Sequence, residues 1–395
     1  MIGRRVHELR TAAGMKITEL ATAADVSVSW LSRAERGERA VNAWDVIENL
    51  ASALGVPPGR LTGEVTVRSP GDLRTQRAVQ EVADLLMSWP LGERPDGDAR
   101  PVGLLGQDVW RIERMVEVGD YAAFAPMLPG LLAELHIGAA DPDGAAREAV
   151  WPLLVRALNG ARWISRAAGR HEVEWMVSER LAAAATETHD PAHIAFGDNV
   201  RADTLAWSGA GPGTRQRALR VARAAADRLA ADADITSGDP AEAYGMLQAA
   251  CMYSSALTGD QDGADAHMAE AADVAERTGN GHAFGSWFGP AQVAADRVLL
   301  AAQRQELGPA LDVWQRPEVG VLPRCRRAPL LVDTARCLVT ERARRGEAVP
   351  MLTRARATSS QKAYASPWIR ELVDYLRAEV GGREVRELAR WLGLT

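Results

Sequence analysis

The segment His189-Asp190-Pro191-Ala192-His193 comes closest to a metal or acid–base site. Two imidazoles and a carboxylate within five residues could hold a divalent cation if one helix face presented them together. Asp190-Pro191 reads instead as a helix start, because Asp caps well and Pro suits the first turn. That reading leaves His189 in the loop, and a zinc site would still need a third ligand. The stretch 209–213 (GAGPG) lacks the Lys-Ser/Thr of a phosphate loop and follows no strand, so it reads as a turn. Gly285-Ser286 has no nucleophile-elbow motif around it. The three cysteines, Cys251, Cys325 and Cys337, show no Cys-x-x-Cys spacing. The expectation is a protein without catalytic residues, metal ligands or cofactor motif.

Binding chemistry has a clearer address near the N-terminus. Val6, Leu9, Ile17, Leu20, Ala21, Val26, Leu31, Ala34, Val46, Ile47, Leu50, Ala51 and Leu54 follow helical spacing. Gly14, Asp25, Gly37 and residues 55–59 interrupt it, so residues 1–63 should hold five short helices. Ala21 is small enough for two helices to cross there. Asp25 falls at the turn, where a left-handed backbone is needed and Asp tolerates it. Ser27 reads as the N-cap of a helix over Val28–Arg36. With Leu31 and Ala34 pointing inward, Val28, Ser29, Ser32 and Arg33 face outward. Residues 1–63 carry a net charge of +1 on a chain of net −6. A near-neutral head on an acidic body fits a protein that touches nucleic acid through one end.

Residues 14–37, GMKITELATAADVSVSWLSRAERG, resemble the xenobiotic-response-element (XRE, Cro-like) helix-turn-helix, and the resemblance spans residues 3–61. It implies a lambda-repressor-like DNA-binding domain with Val28–Arg36 in the major groove. Arg33 would then be the bidentate partner of a guanine, Ser29 and Ser32 would reach bases or phosphates, and Val28 would touch a thymine methyl. Trp30 would be shared between the groove and the domain's own core. Arg36 and Arg39 would meet phosphates, and Lys16, Thr18 and Ser27 complete the expected contacts. Lys16 and Ile17 depart from the family's usual Ser-Gln. Lys16 has no oxygen with which to cap a helix, and offers charge in its place.

The rest of the chain reads as helix after helix, with no period-2 strand. Asp72–Trp89 is amphipathic, and residues 90–103 form a Gly/Pro-rich loop. Breaks are expected at Gly119-Asp120, Gly169-Arg170, Gly213-Thr214, Gly259-Asp260, Gly308-Pro309 and Gly346-Glu347, each between a longer helix and a shorter one. The clearest hairpin pairs Ala241–Thr258 with a helix ending near Thr278. Hairpins of this kind stack into a superhelix with a concave wall. The expected fold is all-α, a five-helix head followed by a tetratricopeptide-like (TPR) solenoid of six pairs. The expected domains are 1–63 for DNA, 64–103 as linker and 104–395 for sensing and dimerisation. Residues 287–297, WFGPAQVAADR, resemble the body of actinobacterial regulators that join an XRE head to TPR-like repeats, as do residues 326–336 and 366–373. Gln292 and Asp296 stand where those relatives carry Asn and His.

That resemblance implies a one-component regulator with an effector pocket. Gln292 and Asp296 are four apart on one helix face, with Trp287 and Phe288 just before them. Trp163 and Arg166 neighbour each other on an earlier helix, and Asn199, Asp203 and Trp207 are spaced four apart on another. Polar groups beside aromatics on an inner wall suit a peptide or a small amphipathic molecule. The expected partners are double-stranded DNA, a second copy of the chain and such an effector. The alternative is a DNA-binding scaffold whose body takes a protein partner. No apolar run reaches about 18 residues and no signal peptide is evident, so a cytoplasmic protein without membrane contact is expected.

Overall fold

The computed structural model describes residues 2–63, 70–141, 144–207 and 212–394. The head holds α1 (Ile2–Ala12), α2 (Ile17–Ala23), α3 (Val28–Glu35), α4 (Trp44–Ala53) and α5 (Gly59–Thr62). These are the five helices that the spacing requires. Val6, Leu20, Leu31, Ile47 and Leu50 close the head's core, and Leu9, Ile17 and Val26 pack at its edge. Asp25 adopts φ 52°, the left-handed value expected at the turn. Ser27 caps α3 by accepting the Trp30 N–H at 3.1 Å. Gly3 is required by a close crossing, since a Cβ there would lie 1.9 Å from the Ala34 carbonyl oxygen.

The body continues with α6 (Pro70–Ser88), α7 (Val102–Val118), α8 (Tyr121–Phe124), α9 (Leu128–Ala139), α10 (Gly144–Ala167) and α11 (His171–Glu187). Then come α12 (Pro191–Trp207), α13 (Pro212–Asp232), α14 (Gly238–Leu257), α15 (Gln261–Thr278), α16 (Pro290–Arg304) and α17 (Leu307–Asp312). The chain ends with α18 (Arg324–Leu338), α19 (Ala348–Thr358), α20 (Ser360–Tyr364), α21 (Pro367–Glu379) and α22 (Arg383–Leu392). Antiparallel pairs α10/α11, α12/α13, α14/α15, α18/α19 and α21/α22 stack in TPR-like order. Small residues set the spacing, as where Gly197 of α12 passes over Ala182 and Ala185 of α11. Among the described residues the only β pairing is a bridge between Gly281 and Phe288.

Three expected details are corrected. Gly308 lies inside α17, and the break falls earlier at Gln305, which takes the left-handed cap of α16 at φ 60°. Gly213 sits in the first turn of α13, and Gly346 in a 3-10 turn over Arg342–Glu347. The helices after the breaks are not regularly shorter, since α13 has 21 residues against 17 in α12. Residues 209–211 of the GAGPG stretch lie outside the described residues. By length and composition Tyr121–Ala139 could cross a membrane, which the reading of apolar runs did not anticipate; half of it is buried against its neighbours.

The solenoid curves back so that its late helices hold the head. Glu371 on α21 is buried and accepts backbone N–H groups of Ile2 at 2.7 Å and Val41 at 3.1 Å. Arg336 on α18 donates to the Asn42 carbonyl at 2.6 and 3.1 Å. On α4, Trp44 meets Trp368 edge-on at 5.7 Å and Trp207 at 6.4 Å. One turn along, Glu48 pairs with Arg215 of α13 at 2.6 Å, both almost wholly buried.

Candidate nucleic-acid interface and ligand cavity

The outer face of α3 is open to solvent. Val28, Ser29 and Arg33 are exposed, and Ser32 is half-buried. The Arg33 Nε–H reaches only the Ser29 carbonyl, at 3.3 Å, and among the described residues no carboxylate pairs with it. The carboxylates nearby are already neutralised, Glu35 by Arg10 at 2.7 Å and Glu38 by Arg36 at 2.6 Å. Arg36 also donates to the Ser32 hydroxyl. Trp30 is half-buried with the Arg39 guanidinium 5.7 Å above its ring. Lys16 and Thr18 are exposed at the start of α2. Lys16 caps nothing with its side chain, but its backbone N–H is taken by the Glu19 carboxylate at 2.8 Å. The result is a surface of exposed cations, hydroxyls and one valine on a helix, suited to base edges and phosphates.

A cavity of about 640 Å³ lies between head and body. Its walls come from α10, α12, α14, α16, α18 and α20–α21, and from Trp44, Pro57–Gly59 and Thr62–Gly63 of the head. Aromatic faces dominate the inside, where Trp207 stacks on Tyr253 with centroids 4.4 Å apart. Gly245 makes room for Phe288, since a Cβ there would fall 2.0 Å from the ring.

The polar part of the wall centres on Trp163. Arg162, Arg166, Arg326 and Lys362 place cationic groups 4.3, 5.4, 5.3 and 4.2 Å from its ring centroid. Asp203 bonds both Arg162 and Arg166, at 2.5 and 2.7 Å, and Glu174 also pairs with Arg166. Burial pushes the Asp203 carboxyl up, but the two guanidinium groups outweigh it and hold it at about 2. Across the cavity Gln292 donates to Asp296 at 2.8 Å. Burial outweighs that bond and pushes Asp296 up to about 6. Burial, aided by the arginines around it, brings the Lys362 ammonium down to about 7.

Residues 2–64 match the family model described as a helix-turn-helix domain. The head is a helix-turn-helix domain. One solved structure, PlcR of Bacillus thuringiensis in complex with the peptide PapR7 and DNA, is similar at 11% identity. The match covers 92% of this chain and 96% of that one, at a TM-score of 0.23. No curated protein matches the chain.

The helix-turn-helix places the ten residues expected to touch DNA on or beside α2, α3 and the turn after it. All nine residues expected around an effector line the one cavity: Trp163 and Arg166, then Asn199, Asp203 and Trp207, then Trp287, Phe288, Gln292 and Asp296. In the segment His189–His193, Asp190 caps α12 through the Ala192 N–H at 2.9 Å and bonds His193 at 2.7 Å, with His189 left in the loop at φ 55°. Sequence reasoning missed Arg162, Lys362, Tyr253 and the helix-turn-helix contribution, Trp44, Pro57–Gly59 and Thr62–Gly63. One signal was available for Lys362. The chain has 44 Arg and two Lys, and Lys362 is one of the two.

Proposed function

We propose that this protein is a sequence-specific transcription regulator whose helix-turn-helix binds operator DNA under the control of a ligand in the cavity. The observation that carries the reading is the shared wall. Trp44, Pro57–Gly59 and Thr62–Gly63 of the DNA-binding domain line the same space as α10, α12 and α16. A molecule filling that space touches both parts, so it can have different affinities for two placements of the head, as a ligand-driven shift requires. The contact beside it is suited to rearrangement. Glu48 Oε2 and Arg215 Nε are buried without hydrogen-bond partners, so the ion pair does not offset its whole dehydration.

In this reading residues 1–63 bind DNA, 64–103 connect, and 104–395 sense and dimerise. The functional unit is a cytoplasmic homodimer on two half-sites, without an enzymatic activity of its own. The concave, aromatic-lined cavity of about 640 Å³ favours a small effector over a protein partner. Selection of bound duplexes from a random pool, followed by footprinting, tests the DNA-binding half. The expected outcome is protection of two related half-sites about one helical turn apart, or a multiple of that, with affinity falling steeply as salt rises. Recovery of no common sequence would contradict it.

A further inference from the structure

The charge on the cavity wall narrows the chemistry of the ligand. Five cations line the cavity, Arg162, Arg166, Arg326, Lys362 and Arg370, against three carboxylates, Asp203, Asp296 and Asp333, in a chain of net charge −6. Most of the pairs close among themselves. Asp203 holds Arg162 and Arg166, and Asp333 pairs with Arg336 at 2.8 Å. Asp296 spends its hydrogen bond on Gln292. Among the described residues Arg326, Lys362 and Arg370 have no carboxylate partner, and Arg370 Nη2 is buried with no hydrogen bond at all. Arg326 and Lys362 share the Trp163 indole as their substitute partner. All three are half-buried; unpaired cations partly withdrawn from water carry a cost, and a bound anion removes it. A chain that uses arginine almost everywhere places a compact ammonium on a flexible stem at this point.

We propose, resting on the ligand-response reading above, that the cavity takes an amphipathic acid: a carboxylate or similar oxyanion received by Lys362 and Arg326, on a flat apolar body that lies against the Trp207–Tyr253 stack. The anion lies beside Trp163, and the apolar end extends toward the helix-turn-helix at Trp44.

Two dyes that differ by a single sulfonate test this on the full chain: 8-anilinonaphthalene-1-sulfonate and its uncharged parent, N-phenyl-1-naphthylamine. The sulfonate is expected to bind one per chain and at least about tenfold tighter than the parent. Lys362→Met and Arg326→Met should each weaken the sulfonate about tenfold and leave the parent within about twofold. Lys362→Arg should keep the preference, and equal melting temperatures would show that the variants fold. Lys362 is charged below pH about 7, so sulfonate affinity should be full there and fall as pH rises. The groups facing the amine do not reverse that trend. Tyr121 and Cys325 are pushed up by burial, and Asp296 loses its proton near 6 and repels an anion above it. Displacement by naphthalene-1-acetate supports a small free acid. Displacement only by a hexapeptide with a free C-terminus, and not by its amide, supports the same chemistry supplied by a peptide. Equal affinity for both dyes, or unchanged sulfonate binding in both methionine variants, overturns the acid while leaving the ligand reading in place. If neither dye binds at one per chain, the ligand reading falls with it.

Discussion

Arg33→Ala is expected to remove sequence-specific DNA binding while leaving the protein folded. The side chain is exposed, makes one long bond to its own helix and supports no packing. A bidentate arginine–guanine pair contributes about 1–3 kcal/mol of discrimination, so affinity for the selected duplex should drop roughly 10–100-fold toward the level for unrelated DNA. If two subunits bind together, both half-sites lose the contact. Circular dichroism and melting temperature should not change. Lys16→Ala should behave differently, weakening all duplexes alike and lowering the slope of log affinity against log salt by about one. A footprint of Arg33→Ala identical to wild type would move base recognition to other residues of α3.

Arg215→Met is expected to have the largest effect on stability, and the effect should depend on pH. The Arg215–Glu48 pair is nearly inaccessible to water, and breaking such a pair from one side costs about 3–5 kcal/mol. Burial already raises the Glu48 carboxyl above its ordinary value of 4.5, with Arg215 as the main opposing influence. Without Arg215 it rises further. Near pH 4 the carboxyl is largely protonated in both folded and unfolded chains, so the deficit is small. Once the pH passes the raised value of Glu48 in the wild type, the wild-type fold releases a proton that the variant fold keeps. Stability relative to wild type then falls by up to about 1.4 kcal/mol per pH unit until the variant's folded group ionises. Chemical denaturation at pH 4 and pH 8 measures both ends. Adding Glu48→Gln should recover much of the loss at pH 8 and make the deficit nearly independent of pH. A deficit equal at the two pH values would show that Glu48 is not the group left stranded.

The two sites differ in how far the sequence disclosed them. The helix-turn-helix was legible because its determinants are local. Ser27 caps a helix three residues away, Asp25 sets one turn, and the alternation of Leu31 and Ala34 with Ser32 and Arg33 fixes which face is buried. The effector-site candidates were legible by a related route, since i, i+4 spacing on α12 and α16 already puts Asn199, Asp203 and Trp207 together, and Gln292 with Asp296. How those helices converge depends on contacts hundreds of residues apart, which no local period encodes. Glu371 illustrates the difference. It sits in SPWIRELV, where it looks like a solvent-facing helix residue, and the fold buries it against Ile2 and Val41. Trp44 is a second case, a tryptophan of the helix-turn-helix that the fold sets into the cavity wall. Gly308 shows the limit of reading breaks from glycine, because Gln305 adopted the left-handed cap that a glycine was expected to supply.

Occupation of the cavity should change DNA binding through the helix-turn-helix domain. Quantitative footprinting of the selected duplex, with and without a deproteinised small-molecule extract of the source cells, tests it most directly in wild type and in Asp296→Ala. Asp296 lines the cavity and makes no contact with the DNA-binding face. Extract is expected to shift wild-type affinity about 5–150-fold, and Asp296→Ala to alter that shift while binding DNA normally without extract. An extract that leaves wild-type affinity unchanged, or a shift that is identical in the variant, would contradict it.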